Sequence, residues 1–215
     1  KEKIGFISVD NDYGRKIYDI IENSEMINLI KDKIFINHET FKDKENLRKT
    51  ISNFLNYDES NNKDLLHNNE YDSIILIGNR NFILGLAPIL TYYDVDLSKT
   101  ELFATSVLND KTLLNEHSLI HAKFPLVSET NISEFNNLWK TVWLQPKTDN
   151  LTRLGYYISK ISIWVASQDK NFTDQIERGK NKFSILNNKF IFKINGNVLR
   201  PVNIYKIGKD GTTKK

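Results

Sequence analysis

Cysteine is absent from all 215 residues, which excludes disulfide cross-links, thiolate metal sites and a cysteine nucleophile. Glycine and proline are scarce, at 9 and 4 residues. No Gly-rich phosphate cradle, no Gly-x-Gly-x-x-Gly fingerprint and no Gly-x-Ser-x-Gly elbow occurs. No apolar run approaches the roughly 20 residues of a bilayer-spanning helix. Neither sign of charge dominates: 30 basic side chains stand against 27 acidic ones, for a net charge of +3. The basic residues are dispersed, so the electrostatic stripe of a nucleic-acid binder is missing. What is present is an ordinary globular composition, with 40% hydrophobic and 11% aromatic residues. That is enough to fold one domain, or one large domain with an appendage, without metal or cross-links. The 26 Asn residues are scattered among periodic apolar segments and read as background rather than low complexity. The triplets beginning at Asn131, Asn150 and Asn171 are expected by chance in such a chain.

Along the chain, Ile4–Val9 is a short apolar run of the kind found in buried parallel strands. The turn cluster 10–14 leads into a helix over Arg15–Asn23. Lys33–Ile36 reads as a second strand, Asp43–Leu55 as an amphipathic helix, and Tyr57–Glu70 as a polar, mobile surface excursion. Tyr71–Gly78 is the clearest strand: a polar start, four aliphatics, then Gly. A helix over Asn81–Tyr93 tolerates Pro88 with a kink. Further strands are expected at Glu101–Ala104 and Ile120–Phe124, and helices at Glu134–Trp143 and Leu151–Ser167. This alternation predicts right-handed crossovers and a three-layer α/β/α, Rossmann-like lobe around a parallel sheet. Lys189–Ile194 and Asn197–Ile207, joined by Asn195-Gly196, predict a C-terminal β-hairpin. A further turn is expected at Lys206–Gly211, with a frayed tail after it. The expected division is residues 1–147 as the lobe, and 148–215 as a returning helix and hairpin. The chain enters its first strand almost at once without a signal-peptide pattern, so the expectation is a piece of a longer, processed polypeptide.

Candidate chemistry is sparse. His117 and His121 have i, i+4 spacing, but no Glu lies between them and Ile120 reads as strand, which argues against a metal site. Asp10, Asp12, Asp94 and Asp96 could in principle form acid–base pairs, yet Asp-x-Asp in turns serves chiefly as caps and Asx-turns. No nucleophile or nucleotide signature points to an enzyme, and no cofactor or metal is implied. A binding geometry remains, because open α/β sheets bind ligands beyond the carboxyl ends of their strands. Tyr13, Asn79, Arg80, Thr105 and Ser106 fall at those ends and are the candidate ligand-binding residues.

The stretch from Ile4 to Arg15, Ile-Gly-Phe-Ile-Ser-Val-Asp-Asn-Asp-Tyr-Gly-Arg, resembles the opening of the second lobe of type I periplasmic binding proteins. The resemblance continues through Tyr71–Gly78 and through Leu86–Asp96, Leu-Ala-Pro-Ile-Leu-Thr-Tyr-Tyr-Asp-Val-Asp. That last segment, and the ending Phe190–Val202 with its Phe-x-Phe, turn Gly and Arg, are similar to the penicillin-binding protein activator branch. The resemblance covers Ile4 to Lys209 and implies one of two lobes hinged around a gap, with the first lobe absent. It also implies a non-catalytic protein of the bacterial periplasm, lipid-anchored through residues outside this chain. As partners it implies a peptidoglycan synthase or other envelope protein, and a dimer through the surface left by the missing lobe. The other reading it implies is a solute receptor of an ABC transporter, closing on a small ligand. Amino-acid receptors of this kind carry an aromatic at the position of Tyr13, which is kept. They also carry an acidic residue after the fourth strand, where Phe103–Leu108 offers only hydroxyls. An ammonium buried there would lack its counter-charge. An enzyme of unrecognised type is the third class. The long helix Leu151–Ser167, apolar around most of its circumference, predicts an exposed apolar patch or a covering partner, and solvent-protected, fully intramolecular packing of Tyr156, Tyr157, Ile161 and Trp164 would count against a missing lobe.

Overall fold

The computed structural model describes residues 2–41, 47–57, 70–127, 132–143, 148–167, 171–177, 182–209 and 211–214. In chain order the elements are β1 (Glu2–Val9), α1 (Asp12–Glu22), α2 (Glu25–Ile30), β2 (Ile34–Phe41), α3 (Leu47–Phe54), β3 (Ser73–Ile77), α4 (Arg80–Tyr92) and β4 (Glu101–Ala104). They continue with α5 (Lys111–Leu114), β5 (Lys123–Val127), α6 (Ile132–Trp143), α7 (Asn150–Ala166), α8 (Phe172–Glu177), β6 (Lys182–Ile185), β7 (Asn188–Phe192), β8 (Val198–Leu199), β9 (Val202–Gly208) and β10 (Gly211–Lys214). Among the described residues the main sheet has seven strands in the order β10-β9-β5-β4-β3-β1-β2, and β2, β1, β3, β4 and β5 pair in parallel.

Why helices cover both faces follows from the alternation of strand side chains. Gly5 faces one layer: a Cβ there would meet the Phe54 ring of α3 at 2.5 Å. Phe6, its neighbour, faces the other layer and packs edge-on against Tyr18 of α1 at 5.4 Å. On the α3 side, Ile7, Ile74 and Leu76 are entirely buried with Ile51, Ile83 and Leu86. Each such side chain contributes roughly 1.5–3 kcal/mol by burial. On the α1 side, Ser8 shares a 2.7 Å hydrogen bond with His38, over which the Tyr18 ring stacks at 3.5 Å. The result is the expected three-layer α/β/α arrangement with a parallel core.

The chain divides into two compact units, Lys1–Leu126 with Ile204–Lys215, and Val127–Asn203. The division therefore falls at Leu126 rather than after residue 147, because α6 packs with α7 through Phe135 and Tyr156 (ring centroids 4.9 Å apart), and because β9 joins the main sheet. In the second unit, β6, β7 and β8 form a small antiparallel sheet. Tyr157 and Phe190 pack at 5.4 Å, with the Arg200 guanidinium 5.0 Å from the Phe190 ring centre.

Several expectations are corrected. The Asn195-Gly196 hairpin exists, with Gly196 at φ +80°, but its second arm ends at Leu199. Pro201, which lacks an N–H, ends that ladder, and the chain then enters β9. The tail is not frayed over 211–214, since Thr212 and Thr213 pair with Ile207 and Lys206. β2 runs on to Phe41, and β5 begins at Lys123 rather than Ile120. The start of the expected helix at Asp43, His67, Asn131 and the greater part of the 57–70 excursion lie outside the described residues.

Candidate functional site

The carboxyl tips of β1, β3 and β4, which are neighbours in the sheet, form one rim. Beyond β1, Asn11 caps α1 by accepting from the Gly14 N–H at 2.9 Å. Gly14 is required here, because a Cβ would sit 1.9 Å from the Val9 carbonyl oxygen. This close fit of helix on strand places Tyr13 at the rim, 44% exposed, where its hydroxyl donates to Thr105 Oγ1 at 3.2 Å. Arg15 engages Asp10 and Asp12. Beyond β3, Asn79 caps α4 by accepting from the Phe82 N–H at 3.0 Å. Arg80 points to Asp110, 3.8 Å away. Beyond β4, Ser106 is exposed at the start of a short turn of 3-10 helix.

Of the five candidate residues, Tyr13 and Thr105 are joined directly, Asn79 caps a helix, Arg80 is paired, and Ser106 faces solvent. Asp110 is the rim residue that sequence reasoning missed. It caps α5 through the Thr112 N–H at 2.9 Å, and that bond, with Arg80 nearby, holds its carboxyl below the usual range. The rim carboxylate that follows the fourth strand is therefore occupied by a helix terminus and an arginine.

The other candidates also resolve into structural roles. His117 lies in a short 3-10 turn and His121 beyond it at φ +80°, so their spacing is not that of one α-helical face. Among the described residues no group of three or more His, Asp or Glu converges. Asp94 occupies a left-handed turn position at φ +57°. Asp96 accepts from the Ser98 hydroxyl and N–H, which lowers its pKa. Ser8 and His38 have the contact of a nucleophile–base pair, but Ser8 is 0% exposed and cannot meet a substrate. Burial lowers the His38 pKa.

The exposed apolar patch expected on α7 is present, but not at its aromatic residues. Tyr157 is buried and accepts from Asn188 Nδ2 at 3.0 Å, Trp164 packs on Phe183 at 4.3 Å, and Tyr156 packs on Phe135. The exposed apolar stripe is instead Leu151, Leu154 and Ile158, at helical spacing, with Ile163 further along. Nearby within this unit, Phe135, Leu138, Trp139, Trp143, Thr152 and Tyr156 line an apolar cavity of about 390 Å³. Among the described residues no helix is long and apolar enough to cross a membrane.

No family model and no curated protein sequence matches the chain. Solved structures do. An ABC-transporter substrate-binding protein from Desulfitobacterium hafniense, in complex with Leu, matches with a TM-score of 0.60 at 11% identity, over 100% of this chain and 60% of that one. An extracellular ligand-binding receptor from Verminephrobacter eiseniae matches at 0.62 and 16% identity, over 100% and 61%. The C-domain of LpoA from Haemophilus influenzae, a regulator of PBP1A, matches at 0.61 and 15% identity, also over 100% and 61%. The chain spans about three fifths of the length of each of these three chains, the third being a C-domain, and 36% of full-length LpoA. Identities this low speak to architecture alone. The chain has the fold of these structures, one found in an ABC-transporter substrate-binding protein, in an extracellular ligand-binding receptor and in a regulator of PBP1A alike.

Proposed function

We propose that this chain is a non-catalytic interaction module of the bacterial envelope that regulates a peptidoglycan synthase by surface contact. The observation that carries this reading is the state of the rim. Tyr13 donates to Thr105, Asn79 caps α4, and Arg80 faces Asp110. A site that captures a small polar solute needs several convergent groups free to pair with it, and here Tyr13, Thr105, Asn79 and Arg80 carry structural bonds, leaving Ser106 of the five facing solvent. The fold shared with the LpoA C-domain is compatible with contact-based regulation. The stripe Leu151, Leu154 and Ile158 supplies apolar surface for a further polypeptide, be it another lobe, a second copy or a partner. We place the protein in the periplasm on the same reading.

The solute-receptor alternative draws on one feature, the exposed Tyr13 ring at a strand tip. A thermal-shift screen against amino acids, sugars and short peptides separates the two. A ligand that binds only the folded state raises stability by mass action, about 2.7 kcal/mol at one hundred times its Kd. The interaction reading expects no concentration-dependent rise in Tm. A rise that disappears in Tyr13→Ala would establish the receptor.

A further inference from the structure

Asn195 and Gly196 form the only Asn-Gly pair in the sequence, and they sit at the tip of the β7–β8 hairpin in the second unit. Two backbone bonds close that tip. The Gly196 N–H donates to the Lys193 carbonyl at 2.9 Å, and the Lys193 N–H donates to the Asn197 carbonyl at 2.8 Å. A three-residue hairpin loop of this kind needs a left-handed residue at its third position, and Gly196 supplies it at φ +80°. The Asn195 side chain folds forward as an Asx-turn, its Oδ1 accepting from the Asn197 N–H at 3.1 Å. Its carboxamide is thereby held over the Gly196 peptide unit.

A backbone nitrogen one residue beyond an Asn side chain can attack the carboxamide carbon and close a five-membered ring. A Cβ on the attacking residue hinders that approach, and glycine has none. The surroundings of Gly196 are open, since even an added Cβ would meet nothing within 4 Å. Lys193 to Leu199 are exposed throughout, so water and hydroxide reach both reacting atoms. The turn itself is weakly held: β8 is two residues long and lies at the edge of its sheet. Elements of that kind open at little cost, and opening releases the Gly196 N–H from Lys193. Ser and His successors also permit the reaction, but the Asn residues that precede them are restrained. Asn23, before Ser24, ends α1 with its Nδ2 donating to the Asp19 carbonyl at 2.9 Å. Asn37, before His38, lies within β2, paired along β1, and donates to the Tyr71 hydroxyl at 2.6 Å.

We propose that Asn195 is a site of spontaneous deamidation, a water-driven modification gated by opening of the β7–β8 turn. Hydroxide removes the Gly196 amide proton and the nitrogen attacks Asn195 Cγ. The new C–N bond forms, the Cγ–Nδ2 bond breaks, and Nδ2 leaves as ammonia after taking a proton from water. Water then adds to either carbonyl of the succinimide and opens the ring, leaving an aspartyl or an isoaspartyl residue at position 195. In sum one carboxamide and one water become one carboxylic acid and one ammonia, with no change of oxidation state. The isoaspartyl product routes the main chain through the side chain and lengthens it by one carbon. A turn closed by two bonds of fixed span does not accommodate that extra atom, so the Lys193–Asn197 bond is lost. The adjoining Phe192, packed on Phe172 and Phe183 at 5.3 and 5.2 Å, ties the turn to the interior of its unit. The proposal is independent of any role for the strand-tip rim.

The test incubates the whole chain at neutral and at mildly alkaline pH, with the same chain unfolded in guanidinium chloride as reference. Digestion after lysine and tandem mass spectrometry of the peptide Ile194–Lys206 follow the site. A gain of about 1 Da at position 195 is expected, with isoaspartate among the products. Its rate in the folded chain should lie within about a hundredfold of the unfolded rate, as suits a fraying edge. It should rise about tenfold per pH unit, with the ionised fraction of the Gly196 amide. Asn23 and Asn37 should keep their amides over the same period. Asn195→Gln, which would have to close a larger ring, should lose the gain. In the isoaspartyl chain the Lys193 amide should lose its protection from hydrogen exchange. Three results would each overturn the proposal: conversion at 195 slower than that hundredfold bound, Asn23 or Asn37 converting as fast as Asn195, or a Lys193 amide equally protected before and after conversion.

Discussion

Replacing Gly14 by alanine tests how the rim is built. The added Cβ would lie 1.9 Å from the Val9 carbonyl oxygen and 3.0 Å from its carbonyl carbon. Ordinary carbon–oxygen contacts begin at roughly 3.3 Å, so α1 must move by more than about 1 Å. Both partners are backbone, and no side chain can swing away to relieve the clash. Overpacking of this kind costs about 1–3 kcal/mol. The same movement disturbs the Asn11 cap on the Gly14 N–H, worth about 1 kcal/mol. The expected loss is about 2–4 kcal/mol, or on the order of 10 °C in Tm for a chain of this size. The Tyr13–Thr105 hydrogen bond should break with it, visible as loss of the nuclear Overhauser contact between the two side chains. A Gly14→Ala protein that melts with the wild type and retains that contact would refute the packing of α1 on the tip of β1.

Gly155 makes the opposite case, because a Cβ there meets nothing within 4 Å. Gly155→Ala in the interior of α7 is expected to stabilise by about 0.5–1 kcal/mol, read as a raised urea midpoint. Burial lowers the His38 pKa, so between that value and about 6.5 the unfolded chain binds more protons than the folded one. The stability tied to His38 is therefore present above about pH 6.5 and lost as pH falls through the folded pKa. Urea midpoints should drop on acidification from about pH 7.5 to about pH 5, and the drop should shrink in His38→Gln. Tyr157→Phe removes the hydrogen bond from Asn188 and should lower stability by about 1 kcal/mol, while Tyr156→Phe, on the same helix, serves as the comparison.

The parallel core was legible wherever side-chain pattern and strand geometry agree. Ile74–Ile77 and Phe6–Ile7 are unbroken aliphatic or aromatic runs, and burial on both faces of a sheet demands just that. The second half of β2 was not legible, because Asn37–Thr40 is polar. Its polar groups are accepted into the sheet through long-range partners, Asn37 with Tyr71 and His38 with Ser8, that no local pattern displays. The start of β5 slipped because Ile120 looks like strand, whereas the left-handed backbone at His121 postpones pairing. The β6–β7 turn was missed for a similar reason: Leu186 and Asn187 both take positive φ, +49° and +62°, and leucine is not a residue from which that is anticipated. At the rim, the strand-tip rule located Tyr13 and Thr105. It could not foresee the Arg80–Asp110 pair, whose members meet only because β3 and β4 lie side by side. On α7, periodicity marked an apolar helix but could not say which faces Phe183 and Phe190 would cover.

The most direct measurement is an equilibrium titration of this chain with a purified peptidoglycan synthase, read by light scattering or surface plasmon resonance. The account predicts saturable one-to-one binding that persists in Tyr13→Ala and Ser106→Ala. Failure to saturate at tens of micromolar, in the range of weak encounter complexes, or loss of binding in those two rim variants, would contradict it.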